Sequence, residues 1–253
     1  AKQNIFQLND LNKAFIDLST KYSQFNGLFD DLDLKSKKLG ADDQQRNITI
    51  SEVLKKLNDV DVLGHNGDVI GDAYEFLISQ FASEAGKKAG EFYTPHEVSD
   101  MMARIAAIGQ EDKQLFSVFD PTMGSGSLML NIRNYLNYPE SVKYHGQELN
   151  TTTFNLAKMN LILHGVDNED IRLRNGDTLN KDWPTDEPYT FDSVVMNPPY
   201  SANWSADNTF LDDSRFNKYG KLAPKSKADF AFLLHGFYHL KDSGTMAIVL
   251  PHG

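Results

Sequence analysis

Apolar positions change their period about a third of the way along the chain. As far as Lys88 they recur at helical spacing. Ile5, Leu8, Leu11, Phe15, Ile16 and Leu18 form one stripe, and Ile70, Tyr74, Leu77, Ile78 and Phe81 a stronger one. The stripes predict most simply the core of a small helical bundle, with a partner-helix surface as the alternative, and the polar stretch from Lys35 to Asn47 reads as an exposed loop. Nothing in this region has the pattern of a catalytic site. No internal repeat is present, and Gly86-Lys87-Lys88-Ala89-Gly90 reads as a flexible break.

Beyond the break, short apolar runs alternate with helical patterns. Thr94-Pro95-His96-Glu97 predicts a helix start, with Thr94 as N-cap, Pro95 in the first helical position and Glu97 in the third. Val98, Met101, Met102 and Ile105 are its expected apolar face. Strands are expected at 115–119, 142–146, 171–174, 191–196 and 245–250, and helices at 127–137, 152–163 and 229–240. This alternation predicts an α/β fold, a parallel Rossmann-like sheet with helices on both faces. The expected domains are a helical region at 1–88 and a sheet domain at 89–253. Ligands of such sheets bind at the carboxyl ends of the strands.

Composition narrows the chemistry. The 253 residues, 40% of them hydrophobic, suit one large domain with a smaller attachment. No run approaches the roughly 18 apolar residues of a membrane span, and the first residues resemble no secretory signal, so a cytoplasmic location is expected. The absence of cysteine excludes disulfides, thiolate metal sites and a cysteine nucleophile. A net charge of −10, from 25 basic and 35 acidic residues, argues against gripping nucleic acid by bulk electrostatics. One local exception is 214–228, with Arg215, Lys218, Lys221, Lys225 and Lys227 and no acidic residue. It reads either as a solvated, mobile loop or as a set of phosphate contacts. His235 and His239, four apart on an expected helix, have a metal-ligand spacing. Their apolar neighbours Phe230, Leu233, Leu234 and Phe237 favour core histidines, and no metal is expected.

Each expected strand carries polar residues at its carboxyl end. The first leads into Asp120-Pro121-Thr122-Met123-Gly124-Ser125-Gly126-Ser127, whose small residues allow close backbone approach to a ligand. Gly-x-Gly alone is equally a structural turn. The second is followed by Glu148, which is either a ribose acceptor or a solvated charge, and the third by Asp177, which could accept from an exocyclic amine. The fourth ends in Asn197-Pro198-Pro199-Tyr200, where two prolines stop any regular ladder and leave the Asn197 and Pro198 carbonyls to face a ligand. A rigid turn with Tyr200 as packing is the structural alternative. Together these positions suit a nucleoside. With no Gly-x-x-x-x-Gly-Lys-Ser/Thr loop and no Gly-x-Gly-x-x-Gly, S-adenosyl-methionine fits better than a di- or triphosphate.

Three motifs then carry a resemblance: Gly90-Glu91-Phe92-Tyr93-Thr94-Pro95, Asp120 to Gly126, and Asn197-Pro198-Pro199-Tyr200, in that order. The chain resembles amino-group DNA methyltransferases, and more closely the modification subunits of type I restriction-modification systems. The resemblance implies a Rossmann-like S-adenosyl-methionine-dependent methyltransferase that methylates adenine N6 in DNA. It implies that Glu91, Phe92, Tyr93, Thr94, Pro95 and His96, with Gly124, Ser125, Gly126 and Ser127, bracket the methionine part of the cofactor. Glu148 would hold its ribose, Asp177 its adenine amine, and Asp120 the region of its amino group. Asn197 and the Pro198 carbonyl would accept the target amine, beside Pro199, and Tyr200 would stack on a flipped base. The implied partners are double-stranded DNA reached within a complex, a DNA specificity subunit, a restriction and motor subunit, and a second modification subunit.

The residue types fit that chemistry. An adenine amine is a poor nucleophile because its lone pair is delocalised into the ring. Two acceptors holding its N–H bonds would favour a pyramidal nitrogen aimed at the methyl donor, without a titrating base. Carbon-5 methylation of cytosine needs a thiolate and is excluded. Cytosine-N4 or protein-glutamine methylation remains as an alternative, as does a non-catalytic scaffold. The resemblance also implies further strands beyond Gly253, so the chain is expected to be a C-terminally incomplete fragment with doubtful activity and stability alone.

Overall fold

A computed structural model of the chain describes residues 6–59, 67–85 and 93–252. It divides into two compact units, Ala1–Asp72 and Ala73–Gly253.

In the first unit lie the helices α1 (Leu8–Lys21) and α2 (Asp43–Asn58). The Asp42 carboxylate caps α2 by accepting from Gln45 N at 2.8 Å, so the last part of the expected exposed loop is helix. Asn47 ties the two helix starts together, donating to the Phe6 carbonyl and accepting from Leu8 N. Among the described residues, α1 and α2 contribute no buried bundle core. No residue of α1 or α2 is buried, and Ile16 and Leu18 are 56% and 37% exposed. Two helices and an irregular connection bury little, and the Phe15–Phe29 stack at 4.4 Å beside buried Leu28 supplies most of the apolar contact. A cavity of about 670 Å³ in this unit is lined largely by amides and charges, including Gln7, Asn12, Asp33, Lys35, Gln44 and Asn47.

Helix α3 (Gly67–Ala85) contains the division between the units. The boundary therefore falls at Asp72/Ala73, ahead of the glycine break expected to mark it. The reason is packing. Ile78 and Ala82 are buried within the second unit, the Tyr74 hydroxyl donates to the Leu156 carbonyl, and Glu75 accepts from Asn160.

The second unit then runs α4 (His96–Ala107), β1 (Phe116–Asp120), α5 (Ser127–Asn131), β2 (Val142–Glu148), α6 (Thr151–Leu163), β3 (Ile171–Asn175), β4 (Phe191–Met196), α7 (Asp229–Tyr238) and β5 (Leu240–Ile248). All five strands are parallel, in the order β3-β2-β1-β4-β5. Strand alternation sends Phe116, Val118 and Val195 into one core with α4, α5 and α6. Phe119, Val194 and Met196 point into a second core with α7 and residues of the 202–228 segment. Both faces of the sheet are thus covered, as expected.

Helix α4 corrects two expectations. Pro95, not Thr94, is its N-cap, and the Pro95 carbonyl accepts from Val98 N and Ser99 N. Its buried face is Ser99, Met102, Ala103, Ala106 and Ala107, whereas Met101 and Ile105 are exposed. Met102 is buried and Val98 packs against the core as expected, but small side chains complete the face and let the helix approach the sheet closely, leaving Met101 and Ile105 outside it. The expected helix at 127–137 is only five residues of α-helix followed by a 3₁₀ turn at Ile132–Tyr135.

Candidate active site at the carboxyl ends of β1, β2 and β4

Strand register creates a notch. Asp120, the last residue of β1, pairs with Gly146, and Phe119 pairs with Val194. Val195 is therefore level with Asp120. Glu148 stands two residues beyond Gly146 (148 − 146) and Asn197 two beyond Val195 (197 − 195), on either side of the shorter β1. At about 3.3 Å per residue, both rise roughly 6–7 Å above the end of β1. Strand order also reverses between β1 and β4, so the notch lies at the topological switch point, where open parallel sheets bind ligands.

The loop after β1 fills the floor of this notch. Met123 N donates to the Gln147 carbonyl at 3.0 Å, Gly126 N to the Met123 carbonyl at 2.7 Å, and Gly124 N to Glu148 Oε2 at 3.2 Å. Gly124 and Gly126 have φ of 54° and 78°, a left-handed geometry that costs other residues energy. A Cβ on Gly146 would lie 2.4 Å from Met123 Sδ, so a side chain there would require the Met123 side chain to shift.

Two carboxyls occupy the notch. Asp120 is buried, and burial pushes its pKa up to about 8, opposed by the Thr122 N–H and reinforced by the negative field of Glu148. Glu148 is also raised by burial, against hydrogen bonds from the Asn150, Gly124 and Leu149 amides. Asn150 N reaches Oε1 at 2.8 Å, so both Glu148 oxygens are oriented by backbone donors. Asp177 lies in the loop after β3 and is exposed; its Oδ1 accepts from Leu179 N at 3.0 Å and Asn180 N at 3.3 Å.

Asn197 bridges two distant segments. Its Nδ2 donates to Thr94 Oγ1 at 3.2 Å, and its Oδ1 accepts from the Tyr200 hydroxyl at 3.1 Å. Tyr200 is 51% exposed, and burial of the remainder raises its hydroxyl pKa. Pro198 is buried and Pro199 half-buried. Tyr93 is half-buried, with its hydroxyl raised by burial and by the charges of Glu75 and Glu97, whereas Pro95 and His96 are exposed. Ser125 and Ser127 are buried, with their hydroxyls 3.0 Å apart. Glu91 and Phe92 lie outside the described residues.

Sequence reasoning missed several supporting residues. Asn160 on α6 is fully buried, and its Nδ2 donates to the Ser125 carbonyl, Ser127 Oγ and Glu75 Oε1 at 3.1–3.3 Å, holding the glycine loop from behind. Its only signal is an amide inside the apolar run Met159-Asn160-Leu161-Ile162. Thr178 Oγ1 donates to the Pro121 carbonyl at 2.5 Å, tying the loop after β3 to the loop after β1.

The basic segment divides in two. Arg215 is 1% exposed: it donates to both Asp213 oxygens, to the Thr178 carbonyl at 2.9 Å and to the Leu179 carbonyl at 3.4 Å, and its Nη1 lies 3.2 Å from His235 Nδ1. The expectation that Arg215 is part of a solvated or phosphate-binding set is therefore wrong for this residue. Partial burial works against the Asp213 charge, but hydrogen bonds from Arg215 hold that carboxyl below the usual carboxylate range. The rest is no free loop either. Trp204 N donates to the Lys225 carbonyl, Ala228 N to the Ala202 carbonyl, and Trp204, Phe210 and Phe216 cluster with centroids 5.3–6.0 Å apart. Lys218, Lys221, Lys225 and Lys227 remain exposed on this folded excursion.

His235 and His239 are joined by Asp182, with ligand atoms all within 4.8 Å of one another. The Arg215 guanidinium donates at His235 Nδ1 and lies 3.8 Å from Asp182 Oδ1, supplying the positive charge there. Burial, His239 and Arg215 together hold the His235 ring well below its ordinary acidity range, hence neutral. This trio is part of a structural charge network.

The N-6 DNA Methylase family model matches residues 65–253. The chain belongs to the N-6 DNA methylase family. Among relatives, a type I restriction enzyme methylase subunit (MpnII) from Mycoplasma pneumoniae is 43% identical over 240 residues, covering 89% of this chain and 44% of that protein. The crystal structure of a type I restriction-modification system methyltransferase subunit from Streptococcus thermophilus superposes with a TM-score of 0.95 at 60% identity, covering 99% of this chain and 53% of that one. A Listeria monocytogenes chain assigned to the class I S-adenosylmethionine-dependent methyltransferases shares the fold, with a TM-score of 0.64 at 15% identity over 82% of this chain and 60% of that one. The methyltransferase fold expected from the sequence is thus the observed one. This family member spans about half the length of these type I relatives. No helix among the described residues is long and apolar enough to cross a membrane.

Proposed function

We propose that this chain carries the catalytic half of a type I modification subunit, which transfers a methyl group to N6 of an adenine flipped out of duplex DNA. The observation that carries this reading is the notch, where Asn197 and Glu148 flank the glycine loop at the switch point, Asn197 fixed by two side chains and Glu148 by two backbone donors.

The residues fit S-adenosyl-methionine as the cofactor. The two buried or half-buried carboxyls, Asp120 and Glu148, face a loop of small residues; burial raises the pKa of both, and a cationic ligand bearing a vicinal diol would offset that by favouring their ionised, hydrogen-bond-accepting forms. Glu148 would accept from the ribose hydroxyls, Asp120 would lie by the amino group, and Asp177 by the adenine amine. Tyr93 to His96 and Gly124 to Ser127, with Glu91 and Phe92, would bracket the methionine portion. When bound, the cofactor supplies an electrophilic methyl group on a sulfonium sulfur.

The chain's own contribution is positioning. Asn197 Oδ1 and the Pro198 carbonyl each take one N–H of the target amine, directing the nitrogen lone pair toward the methyl donor, while Tyr200 offers its half-exposed ring to the base. The N–C bond would form as the methyl–sulfur bond breaks, leaving a neutral thioether, and the proton would then leave the positively charged nitrogen for solvent, so no strong base is needed. The exposed lysines of 218–227 lie on the segment that follows this turn and would contact phosphates. Sequence reading, cleavage and translocation would belong to the specificity and restriction subunits, with a second modification subunit completing the complex.

The direct test uses the full-length subunit assembled with its specificity subunit, duplex DNA and methyl-labelled cofactor. Label in the DNA is expected. Label in protein, or in cytosine, would favour the other amino methyltransferase readings, and no label despite cofactor binding would favour a scaffold.

A further inference from the structure

We propose that Thr94 is a positioning residue for the transfer step, because its hydroxyl accepts Asn197 Nδ2 and so fixes which end of that amide faces the target amine. The inference rests on the functional reading above and adds to it what orients the acceptor.

An asparagine amide presents an acceptor at one end and two donors at the other, and a half-turn about its last torsion exchanges them. Only the acceptor end serves an amine. With the donor end forward, N–H would meet N–H, and the target nitrogen would lose one of its two holds. The backbone of Asn197 does not decide between these states; the neighbours of its side chain do. Thr94 Oγ1 lies 3.2 Å from Nδ2, and the Tyr200 hydroxyl 3.1 Å from Oδ1. These partners differ in permanence. Tyr200 is 51% exposed and is the ring that would stack on the base, so its hydroxyl would shift with the substrate, and Oδ1, with two lone pairs, can accept the amine whether or not that hydroxyl stays. Thr94 is then the contact that still defines the amide.

Thr94 is suited to that task by what it does not do. Threonine before a helix ordinarily uses its hydroxyl to cap the helix, yet α4 has no side-chain cap bond and takes Pro95 as its N-cap. The hydroxyl is thereby left for Asn197, 103 residues away in sequence. Its mounting is stiff. Threonine is branched at Cβ, Pro95 has φ −50°, and α4 is anchored by buried Met102, Ala103 and Ala106. The Phe-Tyr-Thr-Pro segment thus touches the substrate half of the site through Thr94, as well as lying beside the cofactor half.

The test uses the full-length subunit with its specificity subunit, in single turnovers at saturating cofactor and DNA. Thr94→Val keeps the shape and removes the acceptor. Its transfer rate constant is expected to fall about 10–100-fold, the scale of a small misplacement of a reacting group, and raising the cofactor concentration further should not recover it. Thr94→Ser should restore transfer to within about threefold, and Thr94→Ala, which leaves room rather than a methyl group, should show the loss again. Wild-type transfer by Thr94→Val, a loss appearing wholly in cofactor Kd, or failure of Thr94→Ser to rescue would overturn the positioning role while leaving methyl transfer to DNA intact. Absence of transfer by the wild-type complex would instead overturn the functional reading and this role with it.

Discussion

The Tyr200 hydroxyl donates to Asn197 Oδ1 across 3.1 Å, so the oxygen needed by the target amine already holds a hydrogen-bond donor. With two lone pairs, Oδ1 can accept the target amine beside this hydroxyl or in its place. Burial raises the hydroxyl pKa, which keeps it a donor at working pH. Ring and hydroxyl therefore have separable effects. Tyr200→Phe keeps the stacking face and is expected to transfer methyl groups within about threefold of wild type, with an equal or lower KM for DNA. Tyr200→Ala loses base stacking, worth about 1–3 kcal/mol, and should lose about 10–100-fold in target extrusion, read by 2-aminopurine fluorescence at the target position. Equal losses in both variants would show that the hydroxyl, not the ring, matters.

Arg215 should matter for stability before it matters for DNA. It is fully buried against Asp213, the Thr178 and Leu179 carbonyls and His235, so its removal strands a carboxylate and two carbonyls. Arg215→Met is expected to destabilise the second unit by on the order of 3 kcal/mol, measured by urea unfolding. Hydrogen exchange should quicken at 177–179 and 213–217 together, because the one guanidinium holds both segments. A variant as stable as wild type would contradict this.

Cofactor affinity should depend on pH through Asp120. Its folded-state pKa of about 8 leaves it largely protonated at neutral pH, and a cationic ligand beside it favours ionisation. Binding then releases a proton, so affinity should rise as pH increases from 6 to 8 and level off above. Calorimetry in buffers of different ionisation enthalpy counts the proton, and Asp120→Asn should abolish both the count and the slope. The stability sign is opposite. A carboxyl with a raised folded-state value favours folding most below its unfolded value near 4, and that contribution is lost as pH rises through about 8.

The four exposed lysines are separated from the buried arginine by their chemistry as well as their exposure. Replacing Lys221, Lys225 and Lys227 with glutamine should leave the fold intact, since Lys225 meets Trp204 only through its carbonyl. The slope of log affinity against log salt for the assembled enzyme should become shallower by about 2–3, near 0.9 for each phosphate no longer neutralised. An unchanged slope would remove this segment from the DNA interface.

Much of the fold was legible because its signals are local. Apolar runs marked four strands to within two residues, the fifth begins at Leu240 and not at Thr245, and the prolines of Asn197-Pro198-Pro199-Tyr200 marked the end of β4. The carboxyl-end residues followed from the parallel sheet alone. What remained hidden depends on tertiary partners. Nothing near Arg215 distinguishes it from the lysines that follow, yet Thr178, Leu179 and His235 bury it. Thr94 has the sequence of a helix cap, and only the approach of β4 to α4 shows that its hydroxyl serves Asn197. Ile16 and Leu18 carry helical periodicity without a core to enter. Register, too, is invisible in the sequence, and it is the two-residue overhang of Glu148 and Asn197 that turns separate strand ends into one notch.

The most direct measurement is nucleoside analysis of duplex DNA after reaction with the full-length subunit and its specificity subunit, comparing wild type with Asn197→Ala while cofactor Kd is measured for both. The account predicts N6-methyladenine with wild type, loss of at least about 100-fold with Asn197→Ala, and cofactor affinity within about twofold. N6-methyladenine formed at the wild-type rate by Asn197→Ala, or a joint loss of transfer and cofactor binding, would contradict the assignment of Asn197 as the acceptor that positions the target amine.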